Sequence, residues 1–113
     1  MHELSLVGNI VSIAENEIAK TDGRLVEEIE LEIGSLATVD LGAFNFAWEY
    51  GVKATLLEGA IMRIHQIEGR AQCQQCRTEF PMIELYDPCP ACNSYNSLVL
   101  QGQELRIRSL IVT

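Results

Sequence analysis

Hydrophobic side chains recur at helical spacing near the start of the chain. Between residues 4 and 19 they stand three or four positions apart, at Leu4, Val7, Val11, Ala14 and Ile18, with Ile10 beside them. Because an α-helix turns once in about 3.6 residues, this spacing places them on one face. The pattern predicts an amphipathic helix over residues 4–19, followed by the turn signal Thr21-Asp22-Gly23.

Residues 24–34 follow a period of two. Ile29, Leu31 and Ile33 alternate with Glu28, Glu30 and Glu32. Successive side chains of a β-strand point to opposite faces. The segment is therefore predicted to form a strand that buries an aliphatic face and exposes an acidic face to water.

Three more elements follow from the same two patterns. Asp40 is placed to cap a second helix over about residues 40–50, whose apolar side would carry Leu41, Phe44, Ala47 and Trp48. Residues 60–67 are rich in isoleucine and are predicted to form a second strand. A third strand is predicted near the C-terminus, where Leu105, Ile107, Ser109 and Ile111 alternate with Arg106, Arg108, Leu110 and Val112.

The stretch between the last two strands, residues 68–102, is polar and weakly periodic, and it holds all four cysteines and all three prolines. It is predicted to be an insertion that lacks a hydrophobic core and needs a metal ion to fold. The expected fold class is α+β: a small sheet with two helices on one face, plus an inserted zinc-ribbon-like lobe with four cysteine ligands. Residues 1–67 and 103–113 would form the α/β domain, and residues 68–102 the zinc-binding domain.

Composition narrows the functional classes. The 113 residues suit one compact domain with a small insertion, and 48% of them are hydrophobic, an ordinary globular fraction. The net charge of −8 disfavours nucleic-acid and membrane partners because it repels phosphates and anionic lipid, although solubility alone also explains it. The chain has neither a run of about 18 apolar residues nor a signal-peptide pattern, so we expect a cytoplasmic protein.

The four cysteines form two C-x-x-C pairs, Cys73 with Cys76 and Cys89 with Cys92, and twelve residues separate the pairs. Two residues between cysteines let both sulfurs reach one ion from a tight turn. Two such pairs supply the four thiolates of a closed structural zinc site. Metal is favoured over disulfides in a cytosolic chain because thiols are kept reduced there. A closed site has no open coordination position, so no catalysis is expected at it.

Two other uses of C-x-x-C pairs stay open on these grounds. A rubredoxin-like iron site also contains a C-P-x-C pair, but it usually carries glycine after the second cysteine of each pair, where this chain has Arg77 and Asn93. A redox disulfide of the thioredoxin type needs a βαβ context, which the predicted elements lack.

The chain has two histidines, His2 and His65. The α-amine of Met1, the backbone nitrogen of His2 and the His2 imidazole can close adjacent chelate rings on one ion. Such a planar nitrogen set suits Ni(II) or Cu(II). Taken alone the pattern is weak, because a histidine at a chain terminus is usually only solvated. His65 lies in a strand pattern, which favours a surface or hydrogen-bonded residue over a ligand.

Several motifs occur in an order and spacing that resemble one family over essentially the whole chain. The chain opens with MHE and a helix containing LSL, and it continues with LEIG at 31–34 and LEGA at 57–60. A C-x-x-C pair followed by Phe80, then YDPCPAC at 86–92, Ser94 and GQEL at 102–105 complete the set. The chain is similar to the HypA/HybF family of nickel-insertion accessory proteins for [NiFe]-hydrogenase maturation.

The resemblance implies a nickel metallochaperone and not an enzyme. By family likeness, Ni²⁺ is the transported ion and binds at Met1, His2 and Glu3, through the amine, backbone nitrogens and the His2 imidazole. Structural Zn²⁺ is held by the four cysteines, Cys73, Cys76, Cys89 and Cys92. The implied partners are a HypB-type GTPase and the [NiFe]-hydrogenase large subunit, with urease maturation proteins for some members. Asp40 stands where some relatives carry an acidic residue near the nickel site, although helix capping is the simpler role.

The rival interpretation is a zinc-ribbon protein-interaction module without a nickel role. It predicts basic or aromatic residues around the cysteine pairs, where the chain offers Arg70, Arg77 and few others. An enzyme is not supported, because no nucleophile elbow, phosphate loop or open metal site occurs. Some relatives carry histidines beside the zinc cysteines, whereas this chain has Gln, Arg, Pro and Asn there, so no histidine-based switching is expected.

Overall fold

The computed structural model of the chain describes residues 3–113. In this part of the chain lie the helices α1 (Glu3–Ile18) and α2 (Leu41–Gly51) and the strands β1 (Val26–Gly34), β2 (Ile61–Ile67), β3 (Arg70–Cys73), β4 (Glu79–Pro81), β5 (Ser97–Gln101) and β6 (Leu105–Val112). The strands form two sheets, ordered β2-β1-β6 and β4-β3-β5. The predicted α+β class is confirmed. Neither described helix has the length and apolar character needed to cross a membrane.

The predicted apolar stripe is present on α1 with one exception. Its buried members are Val7, Ile10, Val11, Ala14 and Ile18. Leu4 has the right spacing but is 62% exposed. Leu4 lies beside Gly51 of α2, which has no side chain to cover it. Spacing along one helix cannot reveal this, because burial also depends on the partner helix.

Helix α2 begins as predicted. The Asp40 carboxylate accepts a hydrogen bond from the Ala43 N–H at 3.1 Å. This bond satisfies one of the N–H groups that have no partner within the first turn of a helix. Phe44, Ala47 and Trp48 are buried. Three of the four side chains that the sequence assigned to the apolar face therefore anchor α2 in the core, whereas the fourth, Leu41, is only half-buried.

The three predicted strands β1, β2 and β6 pair in one sheet with β1 at its centre. The aliphatic side of β1 is buried, but its acidic side is not simply solvated as the sequence suggested. Glu28 pairs with Arg63 of β2 at 2.9 Å, and Glu30 accepts a hydrogen bond from the Ser109 hydroxyl of β6 at 2.8 Å. Because β1 is the central strand, polar side chains of both neighbours reach its glutamates.

Strand β6 departs from the strict alternation predicted for it. Ile107, Leu110 and Val112 line one cavity, whereas Ser109 reaches Glu30 on the opposite, acidic face of the sheet. In a regular strand Ser109 would share the face of Ile107. Leu105, Ile107 and Ser109 are half-buried between exposed arginines as predicted, but Leu110 is half-buried as well, so the alternation is interrupted after Ser109.

The chain divides into two compact units. The first comprises the chain up to Leu31 with Val39–Ile64 and Arg106–Thr113, and the second comprises Glu32–Thr38 and His65–Leu105. In the second unit β3 pairs antiparallel with both neighbours, so that Ala71 lies opposite Phe80 on β4 and Val99 on β5. These strands were not predicted, because segments of three to five residues are too short to show a period.

The second unit has a small hydrophobic core, so the expectation of a segment without one is wrong. Its buried members are Leu36, Ala71, Cys73, Phe80, Met82 and Cys89, and Leu85 and Val99 pack against them. Two members are the cysteines Cys73 and Cys89, whose burial the C-x-x-C spacing does not indicate. A third, Leu36, comes from a segment more than 30 residues earlier in the chain.

Candidate metal centre

The first C-x-x-C pair closes a tight turn. The Cys73 N–H donates to the Thr78 carbonyl at 2.9 Å, and the Arg77 N–H donates back to the Cys73 carbonyl at 3.0 Å. The Gln75 N–H points at the Cys73 sulfur, 3.4 Å away. Arg77 has a φ of 66°, in the left-handed region. The turn therefore directs an N–H dipole at a sulfur, which stabilises a thiolate.

The second pair repeats this geometry. The Cys89 N–H donates to the Ser94 carbonyl at 2.9 Å, and the Asn93 N–H donates to the Cys89 carbonyl at 2.8 Å. The Ala91 N–H lies 3.4 Å from the Cys89 sulfur, and Asn93 has a φ of 64°. The two turns are thus equivalent halves of one site.

The two turns bring all four sulfurs together. The sulfurs of Cys73, Cys76, Cys89 and Cys92 lie within 4.8 Å of one another. The Cys73–Cys92 and Cys76–Cys89 sulfur pairs are both 3.6 Å apart. A tetrahedral ion with Zn–S bonds of about 2.3 Å separates its sulfurs by about 3.8 Å, whereas a disulfide needs about 2.05 Å. The arrangement fits a closed tetrathiolate zinc site and not a disulfide pair.

Burial divides the four cysteines by their position in each pair. The first of each pair, Cys73 and Cys89, is buried in the core of the second unit, and the second of each pair, Cys76 and Cys92, is exposed. An ion held here would join the core to the surface turns. With four thiolates it would have no position for a substrate, so its role would be to hold the unit together.

The thiols have unequal pKa values. The pKa of Cys76 is lowered to about 6, first by the Thr78 hydroxyl, 3.2 Å from its sulfur, and then by the Thr78 backbone. The pKa of Cys73 is also lowered, mainly by the Cys76 backbone N–H. The Ser94 backbone lowers the pKa of Cys92, but the neighbouring thiols and burial outweigh it and raise this pKa to about 12. Four clustered thiols cannot all ionise without a cation, so the cluster favours a divalent ion.

The other residues singled out by the sequence have different positions. Among residues 3–113, the four cysteines are the one group of three or more histidine, cysteine or acidic side chains close enough to share an ion. His65 lies on β2, half-buried, outside any such group, and Asp40 caps α2. Met1 and His2 lie outside the described residues. Glu3 begins α1, and its carboxylate accepts a hydrogen bond from the Asp40 N–H at 3.5 Å.

Sequence reasoning missed three contributors to the site. Thr78 supplies the hydroxyl beside Cys76, and Gln75 and Ala91 supply the N–H groups that face sulfur. The two N–H donors were open to prediction, because each lies two residues after the first cysteine of a pair. A hydroxyl two residues after Cys76 is not distinguishable from an ordinary surface threonine without the turn geometry.

Comparison with known proteins identifies the family. The family model described as hydrogenase/urease nickel incorporation, metallochaperone, hypA matches residues 1–112. The hydrogenase maturation factor HypA of Parabacteroides distasonis is 43% identical over 112 residues, which cover 99% of this chain and 97% of that protein. The HypA of Geobacter metallireducens is 42% identical, with 99% of both chains covered.

A solved structure shares the fold. The solution structure of the Ni metallochaperone HypA from Helicobacter pylori matches with a TM-score of 0.73 and 29% sequence identity, covering 99% of this chain and 97% of that one. The likeness thus extends over both units. This chain belongs to the HypA family of hydrogenase/urease nickel-incorporation proteins, which are metallochaperones and not enzymes.

Proposed function

We propose that this protein binds Ni(II) at its N-terminus and helps to insert it into [NiFe]-hydrogenase during maturation. The nickel ligands are the α-amine of Met1, the backbone nitrogens of His2 and Glu3, and the His2 imidazole. The observation that carries the proposal is the family match, which runs over residues 1–112 and so includes Met1 and His2 themselves. Planar nitrogen ligation suits Ni(II) and disfavours tetrahedral zinc.

The start of α1 supports a cation site nearby. The hydrogen bond from the Asp40 N–H to the Glu3 carboxylate connects the first turn of α1 to the N-terminus of α2. Glu3, the residue next to His2, and Asp40 therefore lie at the same end of the first unit, and their negative charge attracts cations to that end. A terminal site of this kind leaves one side open to the ligands of a second protein, as ion transfer requires.

Zinc has a separate, structural role in the proposal. Cys73, Cys76, Cys89 and Cys92 hold Zn²⁺ and fold the zinc-binding domain, residues 68–102. The nickel-binding α/β domain comprises residues 1–67 and 103–113. The distances between the four sulfurs and the N–H groups aimed at two of them support this assignment.

The family implies partners in nickel-enzyme maturation. We propose that they are a HypB-type GTPase and the [NiFe]-hydrogenase large subunit, with urease maturation proteins as a second route, and that the protein works in the cytoplasm. The net charge of −8 supports protein and metal partners over nucleic acid or anionic membrane.

A calorimetric nickel titration of zinc-loaded protein with its native N-terminus tests the proposal. The wild type should bind about one nickel tightly. His2→Ala should lose this binding, and so should N-terminal acetylation, which removes the amine as a ligand. His65→Ala is the matched control and should bind like the wild type. Affinity should fall as the pH drops through neutrality, because the α-amine (pKa about 8) and histidine (about 6.5) must both lose protons.

If the wild type and His2→Ala bind nickel equally well, the proposed nickel site at the N-terminus is wrong. The remaining interpretation would then be a zinc-ribbon protein-interaction module without a nickel role.

A further inference from the structure

The turn between β4 and the second cysteine pair presents two large hydrophobic side chains to water. Ile83 is 79% exposed and Tyr86 is 81% exposed. No other large hydrophobic side chain among residues 3–113 is as exposed as these two. We call residues 83–87 the apolar tip. Apolar groups that protrude together from a surface are characteristic of protein-interaction sites.

The backbone of the apolar tip is held in place. The Asp87 carboxylate accepts hydrogen bonds from the N–H groups of Ile83 at 3.1 Å and Glu84 at 3.0 Å. The Asp87 N–H donates to the Glu84 carbonyl at 3.1 Å. Met82 and Cys89, on either side of the tip, are buried in the core of the second unit. A partner would therefore meet a preorganised turn, which lowers the entropic cost of binding.

Tyr86 occupies a backbone conformation that does not favour a tyrosine. Its φ is 69°, in the left-handed region, where a bulky residue is an outlier and glycine or asparagine is the ordinary choice. Such strain persists where the surroundings enforce it, and it concentrates at functional sites. Since the ring itself points into solvent, a contact outside the chain gives a reason for its presence.

Charge identifies the kind of partner. Glu84 and Asp87 belong to the apolar tip itself, and acidic residues outnumber lysine and arginine by six to two in the second unit. A zinc tetrathiolate would add further negative charge. A complementary surface is therefore an apolar pocket bordered by lysine or arginine.

A second copy of this chain is a poor match for such an apolar tip at three cavities of the described surface. Each of these cavities is lined by at least one glutamate and by no lysine or arginine. Their glutamates, represented by Glu17, Glu104 and Glu58, would repel Glu84 and Asp87 of another copy. Charge therefore favours a different protein, one whose pocket has a basic rim, over a second copy at these cavities.

We propose that the apolar tip docks into a basic-rimmed apolar pocket on the protein with which this chain transfers nickel. Tyr86 and Ile83 enter the pocket, Glu84 faces its rim, and Asp87 is a positioning residue that shapes the turn. The choice of partner proteins rests on the proposed function, whereas the surface itself rests on exposure, hydrogen bonding and charge.

The test measures binding of zinc-loaded protein to two purified probes, the HypB-type GTPase and the nickel-free hydrogenase large subunit from the same organism. Ile83→Ser and Tyr86→Ser should each weaken binding at least tenfold to a probe that the wild type binds. Tyr95→Ser is the matched control: it removes a tyrosine of the same unit that is 72% exposed and outside the tip, and it should not change the affinity. Tyr86→Phe should bind like the wild type, because the ring and not the hydroxyl enters the pocket.

Two further variants separate docking from folding. Tyr86→Gly removes the backbone strain of the left-handed conformation, so the midpoint of thermal unfolding should not fall. The variant should nevertheless lose affinity for the probe, as Tyr86→Ser does. Glu84→Lys should weaken binding and make the remaining affinity less sensitive to salt, because it removes a charge that attracts the basic rim. Zinc content and circular dichroism should match those of the wild type in both.

Docking by the apolar tip is contradicted if the tip variants bind a probe as tightly as the wild type does. It is also contradicted if Tyr95→Ser lowers the affinity as much as the tip variants do, or if the wild type binds neither probe. Nickel titration of the same samples keeps the two proposals apart. If nickel binding is normal and the tip variants keep the wild-type affinity for the probes, only the docking role of the apolar tip is contradicted. If the protein does not bind nickel but the tip variants lose affinity for a probe, only the proposed nickel site is contradicted.

Discussion

At the residue scale, Arg77 and Asn93 form the cysteine turns in a conformation that suits glycine better. Each follows the second cysteine of its pair, with a φ of 66° and 64°. In the left-handed region the Cβ of an L-residue crowds the following carbonyl, at a cost of roughly 1–2 kcal/mol that is smaller for asparagine. The metal site therefore carries a local backbone cost in both turns.

Arg77→Gly should raise the free energy of unfolding of the zinc-loaded protein by about 1 kcal/mol, and Asn93→Gly by less. Urea unfolding measures both. Gln75→Gly is the control, because Gln75 lies in the same turn without a positive φ, and it should lower stability. Equal destabilisation by all three variants would show that the left-handed residues are not strained.

The pKa values of the individual cysteine thiols predict how zinc uptake depends on pH. Cys76 has a pKa of about 6 and is mostly thiolate at pH 7, whereas Cys92, at about 12, is protonated. Zinc requires four thiolates, so uptake at pH 7 should release fewer than four protons. As the pH falls through 6, Cys76 also becomes protonated, and zinc affinity should decline more steeply. Calorimetry in buffers of different ionisation enthalpy counts the protons.

Thr78→Val is the matching variant, because it removes the hydroxyl that lowers the Cys76 pKa most. Its zinc affinity should be lower than that of the wild type near pH 7. The difference should disappear once the pH exceeds the usual thiol pKa of 9.0. A pH-independent difference would mean that the hydroxyl acts on packing and not on ionisation.

At the scale of elements, the end of β1 lies unusually close to the segment before β6. The Leu36 N–H donates to the Gly102 carbonyl at 2.7 Å, and the Gly34 N–H donates to the Glu104 carbonyl at 2.8 Å. A Cβ on Gly34 would overlap the backbone of Gly102. These bonds, all within the second unit, attach the Leu36 segment to the strands that carry the cysteines.

Gly34→Ala should therefore destabilise the protein by about 1–3 kcal/mol, the usual cost of overpacking. Gly8→Ala is the matched control, since nothing lies within 4 Å of a Cβ at this exposed helical position. It should stabilise by up to about 1 kcal/mol, because alanine is the better helix former. Thermal unfolding of the two variants should thus shift in opposite directions.

At the scale of the whole molecule, the two units depend on different sources of stability. The first unit buries aliphatic and aromatic side chains of α1, α2 and β1. The second has six buried core residues, of which two are cysteines. A core this small needs a covalent or metal cross-link to stay folded.

Cys92→Ser should unfold the second unit and leave the first largely intact. Cys92 is exposed, so this variant removes a metal ligand without a core side chain, whereas Cys73→Ser removes both. Amide NMR signals of residues 65–105 should collapse to unfolded positions while those of α1 and α2 persist. Loss of both sets together would contradict two separately stabilised units.

The sequence alone determined the helices and strands whose hydrophobic residues recur periodically, and the metal ligands that stand in a spaced motif. The stripe of α1, the Asp40 cap of α2 and the three strands of the first sheet all follow from backbone geometry that repeats within a few residues. The two C-x-x-C pairs predicted the four-sulfur cluster for the same reason. The nickel ligands at Met1 and His2 came from family likeness and stay a proposal.

Tertiary structure alone decided the features that depend on which distant segments meet. It placed Leu36 in the core of the second unit, left Leu4 exposed beside Gly51, and interrupted the alternation of β6 after Ser109. It also exposed Tyr86 in the apolar tip. A period of two or 3.6 residues records only the local path of the chain. Burial and backbone strain depend on the neighbours that folding brings from elsewhere in the sequence.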